Sequence, residues 1–199
     1  MLATRSAGKL RELRPLFAAA GIDVIDLETA GVPHSDGEDA VEAHETFEEN
    51  ALAKARYFRE RTGRAVVADD SGLEVDVLAA APGVRSKRWS GRADLVGQAL
   101  DDANNAKLVE SLRGVERPRA RYVCVAAYCD GDGELVARGE TSGEIILEPR
   151  GTDGFGYDPH FLSHDLRRTF GEADRDTKEA VSHRGRAFRA LIERLGVER

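Results

Sequence analysis

Val66-Val-Ala-Asp-Asp-Ser-Gly72 carries the strongest chemical signal in this chain of 199 residues. An apolar strand that stops at two adjacent carboxylates sets them at a sheet edge, where the ligand clefts of α/β folds open. Hard oxygen donors there suit Mg²⁺, which takes one or two carboxylates and fills its remaining positions with water and substrate phosphates. Asp, Ser and Gly are also common turn residues, so a plain surface turn is the alternative for Asp69 to Gly72. Thr4-Arg-Ser-Ala-Gly-Lys9 joins a short strand to a helix. Its N–H groups, its hydroxyls and Lys9 suit a phosphate at a helix N-terminus. The spacing is not that of a Walker A loop, and a simple helix cap explains it as well.

Three further stretches carry polar groups in patterns that a ligand would use. Asn50 and Lys54 lie one helical turn apart and share a face, which is either solvated or turned toward a site. In Gly154-Phe-Gly-Tyr-Asp-Pro159 two glycines free the backbone around Phe155. A ring between glycines is either a platform on which a nucleobase stacks or a loop anchor in the core. Ser182-His-Arg-Gly185 opens a helix with cations, shortly after Lys178. Cations at that end oppose the helix dipole, so this cluster of donors points to a ligand. Positive charge is otherwise written almost entirely as Arg; the only lysines are Lys9, Lys54, Lys87, Lys107 and Lys178. A compact ammonium and a guanidinium are not interchangeable, so a lysine in such a chain either marks a place where the point charge matters or falls there by chance.

The elements that must hold these residues follow from periodicity. Met1–Thr4 reads as a short strand, followed by a helix from about Gly8 to Ala20 with Leu10, Leu13, Leu16 and Phe17 on one stripe. Ile22 to Leu27 reads as a strand, and Gly31 to Glu45 as an acidic loop containing Pro33, Asp36, Gly37 and Glu38. Thr46 and Glu49 have capping-box spacing before a helix that ends at Gly63. Ala65 to Ala68 is a strand, Asp94 to Leu112 a helix, and Arg119 to Cys129 with Glu134 to Ile146 a hairpin across Asp130-Gly-Asp-Gly133. The last helix carries Phe188, Leu191, Ile192 and Leu195, with Ser182 as its N-cap. The class is α/β: a mixed central sheet with flanking helices, in one domain over residues 1–199.

Composition narrows the setting. A net charge of −7 argues against a nucleic-acid backbone as main partner, since duplex binding needs a basic patch. No apolar run reaches the ~20 residues of a membrane span, and the N-terminus lacks the order of a signal peptide, so the expected location is cytoplasmic. Cys124 and Cys129 fall on opposite faces of one strand and are expected to pack rather than pair.

Taken together, Thr4 to Lys9, Thr46-Phe-Glu-Glu-Asn-Ala-Leu-Ala-Lys54, Ala68-Asp-Asp-Ser-Gly-Leu73, Pro82-Gly-Val, Arg88-Trp-Ser-Gly91, Gly154 to Pro159, Lys178 and Ser182-His-Arg184 resemble the inosine triphosphate pyrophosphatase family, in this order along nearly the whole chain. The resemblance implies two lobes around a nucleotide-binding cleft, usually in a homodimer. It also implies Mg²⁺-dependent cleavage of ITP, XTP and their deoxy forms to a monophosphate and pyrophosphate. Carried over by residue, Asp70 is the catalytic base and a metal ligand, with Glu42 a second metal ligand. Thr4, Arg5, Ser6, Ala7, Gly8, Lys9, Lys54 and Ser71 bind phosphates and sugar. Phe155, Gly156, Tyr157, Asp158, Lys178, His183 and Arg184 hold the base. Ser6 departs from the family, which usually has Asn there. A pyrophosphatase of the septum-inhibition type shares the reaction without the Ser-His-Arg signature, and a nucleotide sensor has no need of a hydrolytic carboxylate.

Overall fold

The apolar cores of this chain are each built from segments far apart in sequence. The computed structural model describes residues 1–35 and 37–196, so Asp36 of the acidic loop lies outside the described residues. The helices are α1 (Ala7–Ala19), α2 (Glu38–Val41), α3 (Phe47–Thr62), α4 (Gly97–Ser111), α5 (Arg175–Val181) and α6 (His183–Arg194). The strands are β1 (Val66–Val75), β2 (Arg119–Cys129), β3 (Glu134–Ile145) and β4 (Phe161–Ser163), hydrogen-bonded in the order β1-β2-β3-β4. β3 and β4 run antiparallel, while Leu2 bridges Asp26 and Val67 in parallel, which gives the sheet its mixed character. No helix among the described residues is long and apolar enough to cross a membrane.

The first compact unit comprises residues 1–70, 124–139 and the chain from His183 onward. Its core packs Leu13, Leu16 and Phe17 of α1 and Phe188, Leu191 and Ile192 of α6 against Leu2, Val67, Cys124 and Ala126. Phe17 meets Phe188 edge to face at 5.8 Å. α1 starts where expected, with Ser6 as N-cap accepting from Lys9 N–H. α3 starts at Thr46, whose hydroxyl accepts from Glu49 N–H at 3.1 Å and donates to the Glu49 carboxylate at 2.8 Å. Both cysteines are buried and unpaired, as their parity on β2 predicts.

The second unit comprises residues 71–123 and 140–182. Its core joins Leu73 and Val75 of β1, Leu108 and Leu112 around the end of α4, and a cluster of Tyr122, Phe161 and Phe170. Tyr122 and Phe170 stack at 5.9 Å, and Phe161 lies 4.6 Å from Tyr122.

Three expectations shift. The strands expected at Met1–Thr4 and Ile22–Leu27 are reduced to single bridges at Leu2 and Asp26. The Asp26 carboxylate accepts from Thr29 N–H at 2.7 Å and its carbonyl from Ala30 N–H, which turns the chain out of the sheet. α4 begins at Gly97 rather than Asp94. Ser182 stands directly before α6, the position expected of its N-cap, and its N–H also closes α5 by donating to Lys178 O at 2.8 Å.

The third shift bears on the chemistry: β1 does not stop at Asp69 but runs ten residues, through Asp-Asp-Ser-Gly to Val75. Leu73 N–H donates to Ser86 Oγ at 2.8 Å, and that hydroxyl donates to Gly83 O at 2.7 Å. Gly72 permits the approach, since a Cβ there would lie 2.4 Å from both Gly83 O and Ser86 Oγ. Overpacking of this kind costs ~1–3 kcal/mol. Gly72→Ala is therefore expected to lower the unfolding free energy by that amount, read as a lower urea midpoint at unchanged m-value, and an unaltered midpoint would show that the contact yields freely.

Candidate active site

Successive residues of a strand point to opposite faces, so the adjacent carboxylates of β1 meet different surroundings. Asp69 is 1% exposed. Lys9 Nζ of α1 stands 2.9 Å from its Oδ2, and Arg184 Nε of α6 stands 3.5 Å from the same atom. The Arg184 guanidinium is itself buried and also pairs with Glu12 of α1. Burial alone would drive the Asp69 pKa up, but the charges of Lys9, Arg184 and Lys54 outweigh it and hold the group far below the usual carboxylate range. Asp69 is a fixed anion. The neighbouring Cys124 thiol is pushed well above its ordinary range by burial and by the Asp69 charge, which leaves it inert.

Asp70 behaves in the opposite sense. Asn50 Nδ2 of α3 donates to its Oδ2 at 2.9 Å, and Asn50 is fixed in turn by His44, whose N–H donates to Asn50 Oδ1 at 3.0 Å. Burial raises the Asp70 pKa, Lys9 and Lys54 pull it down, and the charge of Glu42 pushes it up again, with a net rise. Two carboxylates pushed apart in pKa mark an acid–base assignment: the raised one can take a proton and the depressed one cannot. Lys54, one turn after Asn50, pairs with Glu42. Burial disfavours the charged form of both, yet their mutual attraction leaves Glu42 below and Lys54 above its ordinary value.

Among the described residues no group of three or more His, Cys, Asp or Glu side chains gathers as a metal cage. Mg²⁺ does not need one, because it binds through one or two carboxylates and completes its shell with water and phosphate oxygens. Asp70 and Glu42, two hard donors close enough for one charge to register on the other, fit that requirement.

In the second unit, the loop from Gly154 to Pro159 is held at several points. Asp158 Oδ2 accepts from Phe155 N–H at 2.8 Å and pairs with Lys178 Nζ at 2.7 Å, both charges being buried. The Lys178 ammonium also lies 4.9 Å from the Phe155 ring centre, a cation–π contact. Gly154 has a positive φ, and a Cβ there would strike the Asp158 carboxylate. Tyr157 enters the core and donates from its hydroxyl to Ser86 O at 2.7 Å. The core anchor of this loop is thus Tyr157, and the Phe155 ring is only partly buried.

The Ham1 family model matches residues 1–194. The chain belongs to the Ham1 family. A dITP/XTP pyrophosphatase of Frankia alni is 50% identical over 198 residues, covering 98% of this chain and 96% of that protein. One of Burkholderia pseudomallei is 49% identical over 199 residues, covering 98% and 92%. The solved structure of a HAM1 protein from Coxiella burnetii superposes with a TM-score of 0.83 at 36% identity, covering 99% of this chain and 98% of that one.

Within this Ham1 chain the residues expected to act fall into two groups. Thr4 to Lys9, Glu42, Lys54, Asp70, His183 and Arg184 lie in the first unit, and Ser71, Phe155 to Asp158 and Lys178 in the second. Lys9, Lys54 and Lys178, the three lysines inside the motifs, each pair with a carboxylate. Arg5 is spent on Glu38 and on the carbonyls of Val32 and Pro33, which leaves its backbone rather than its side chain for a phosphate. Ser71 follows Asp70 in β1 and is partly buried. His183 and Arg184 are both buried, and Glu12 with Asp69 offsets a guanidinium at a helix start without any ligand. Reading the sequence missed Glu12 and the fixed charge of Asp69, because those pairings join residues up to 172 positions apart.

The two aspartates predict opposite stability effects in the metal-free protein. A depressed folded-state pKa contributes stability that is present above the unfolded value and lost as pH falls through the folded one. A raised pKa contributes stability that is present below the unfolded value and lost as pH rises through the folded one. At neutral pH Asp69→Asn should therefore cost ~3–5 kcal/mol, the scale for breaking a buried ion pair, whereas Asp70→Asn should raise the melting temperature. Thermal unfolding of both variants checks this, and a destabilised Asp70→Asn would contradict the reading.

Proposed function

We infer that this chain hydrolyses purine nucleoside triphosphates between the α and β phosphates, releasing a nucleoside monophosphate and pyrophosphate. Its substrates are ITP, XTP and their deoxy forms. The observation that carries the reading is the split between Asp69, a fixed anion, and Asp70, a carboxylate poised to take a proton, among the cations Lys9 and Lys54. Relatives named dITP/XTP pyrophosphatase, aligned along nearly the whole chain, support the same substrate class.

Asp70 orients a water and accepts its proton as the oxygen attacks the α-phosphate. Lys9 and Lys54 counter the phosphate charge, and in the Thr4–Lys9 loop the N–H groups not taken by the Thr4 and Ser6 hydroxyls face anionic oxygens with the helix dipole of α1 behind them. Ser71 adds a hydroxyl for the same part of the substrate. Asp70 and Glu42 would hold a divalent metal, Mg²⁺, which when bound neutralises phosphate charge. Asp69 reaches no phosphate in this account; it fixes Lys9 and Arg184.

Base choice falls to Phe155, Gly156, Tyr157, Asp158, Lys178, His183 and Arg184. Hypoxanthine and xanthine carry an oxygen at position 6, where adenine carries an amino donor. A site rich in N–H donors satisfies the oxygen and leaves donor against donor with adenine, at ~1–3 kcal/mol for each group left unpaired. Phe155 stacks on the ring and adds affinity with little selectivity. The family resemblance adds a homodimer, which light scattering would report as twice the chain mass.

A panel of triphosphates assayed with Mg²⁺, resolving monophosphate plus pyrophosphate from diphosphate plus phosphate, tests the reaction. ITP and XTP should turn over faster than ATP, with pyrophosphate as the product, and EDTA should stop turnover. Asp70→Asn keeps the shape and loses the basicity, so kcat should fall by ~10²–10⁴-fold. Diphosphate as the product, or a near wild-type kcat in Asp70→Asn, would overturn the reading.

A further inference from the structure

The loop assigned to the base is gripped at Gly156 from outside the loop. Asp101 and Asn105 lie one turn apart on α4 and so present one face. Asp101 Oδ2 accepts from Gly156 N–H at 2.9 Å, and Asn105 Nδ2 donates to Gly156 O at 2.9 Å. Both backbone polar groups of a single residue, the glycine that follows Phe155, are therefore taken by one helix.

We propose that Asp101 and Asn105 are positioning residues, which fix the peptide after Phe155 so that its ring and its neighbours meet the purine in one geometry. This rests on the reading that Phe155 to Asp158 hold the base.

Three features separate this from ordinary loop packing. Gly156 has φ +63° with nothing within 4 Å of a would-be Cβ, so backbone conformation, not space, demands the glycine. A residue with that freedom stays in one conformation only when other groups hold it, and the two α4 side chains do so from both sides. Asn105 also keeps a buried Oδ1 with no hydrogen-bond partner among the described residues. Its orientation is fixed because a carbonyl only accepts, so the amide nitrogen must face Gly156 O. Leaving an acceptor buried and unmet is costly, and a residue chosen only for packing would avoid it. Finally, the remaining loop contacts run elsewhere: Asp158 to Phe155 N–H and Lys178, and Tyr157 to Ser86. Among the described residues, only α4 reaches Gly156 through side-chain hydrogen bonds from outside the loop.

The test compares Asp101→Ala, Asn105→Ala and the conservative Asp101→Asn, whose amide oxygen can still accept from Gly156, with Phe155→Ala as reference. Hydrogen exchange of the full-length protein reads the loop directly. Exchange at residues 154–158 should speed up about tenfold in both alanine variants, with β2 unchanged, and return toward wild type in Asp101→Asn. In kinetics, kcat/KM for ITP should fall about tenfold, mainly through KM, and the ITP-to-ATP ratio should narrow. A purely structural role would lower activity toward both substrates equally. Unchanged exchange and an unchanged ratio in both alanine variants, with Phe155→Ala weakening turnover, would overturn the positioning role alone. A Phe155→Ala enzyme with wild-type kinetics on every substrate would instead overturn the assignment of the base to this loop.

Discussion

The carboxylate of Asp69 is a charge taken out of water, and a charge so placed survives only where cations of the protein stand against it. Lys9 comes from the first turn of α1 and Arg184 from the first turn of α6, and each reaches the same Oδ2 of β1. That one atom thus fastens two helices to a strand, next to the Thr4–Lys9 loop and the Ser-His-Arg segment. Glu12 closes the arrangement by pairing with Arg184 from α1. The apolar contact of Phe17 with Phe188 brings the same helices together, but it fixes no charge and no direction. The ion pairs set where the Lys9 ammonium points.

Asp70, the next residue of the strand, ionises in the opposite sense. Strand alternation sends it toward Asn50 rather than toward Arg184, and burial outweighs the pull of Lys9 and Lys54 on its ionisation. A carboxylate kept partly short of cations holds a proton more readily, which a general base requires.

What was legible in the sequence was local. Asn50 and Lys54 share a helical face by spacing alone, and both face the carboxylates. The scarcity of lysine singled out Lys9, Lys54 and Lys178, each of which meets an acid. The order of motifs gave the family, and the hairpin and the major helices followed from period. The course of β1 past Asp70 was not legible, because Ser86 supplies the partner for Leu73 N–H from thirteen residues away. The pairs of Arg184 with Glu12 and Asp69 are likewise products of the tertiary fold. Nothing in the sequence singled out Asp101 and Asn105 on α4, since polar residues look alike whether they meet water or a loop. In the Gly-rich loop the sequence named the ring but not the anchor, which proved to be Tyr157.

The central claim is that neighbouring aspartates of one strand hold different protonation behaviour because different side chains surround them. Carboxyl carbon NMR of the metal-free protein, titrated with pH and assigned through Asp69→Asn and Asp70→Asn, measures it directly. The account predicts that Asp69 shows no titration across the range in which the protein stays folded, while Asp70 titrates above the usual carboxylate range. Asp69 titrating normally, or Asp70 titrating below it, would contradict the account.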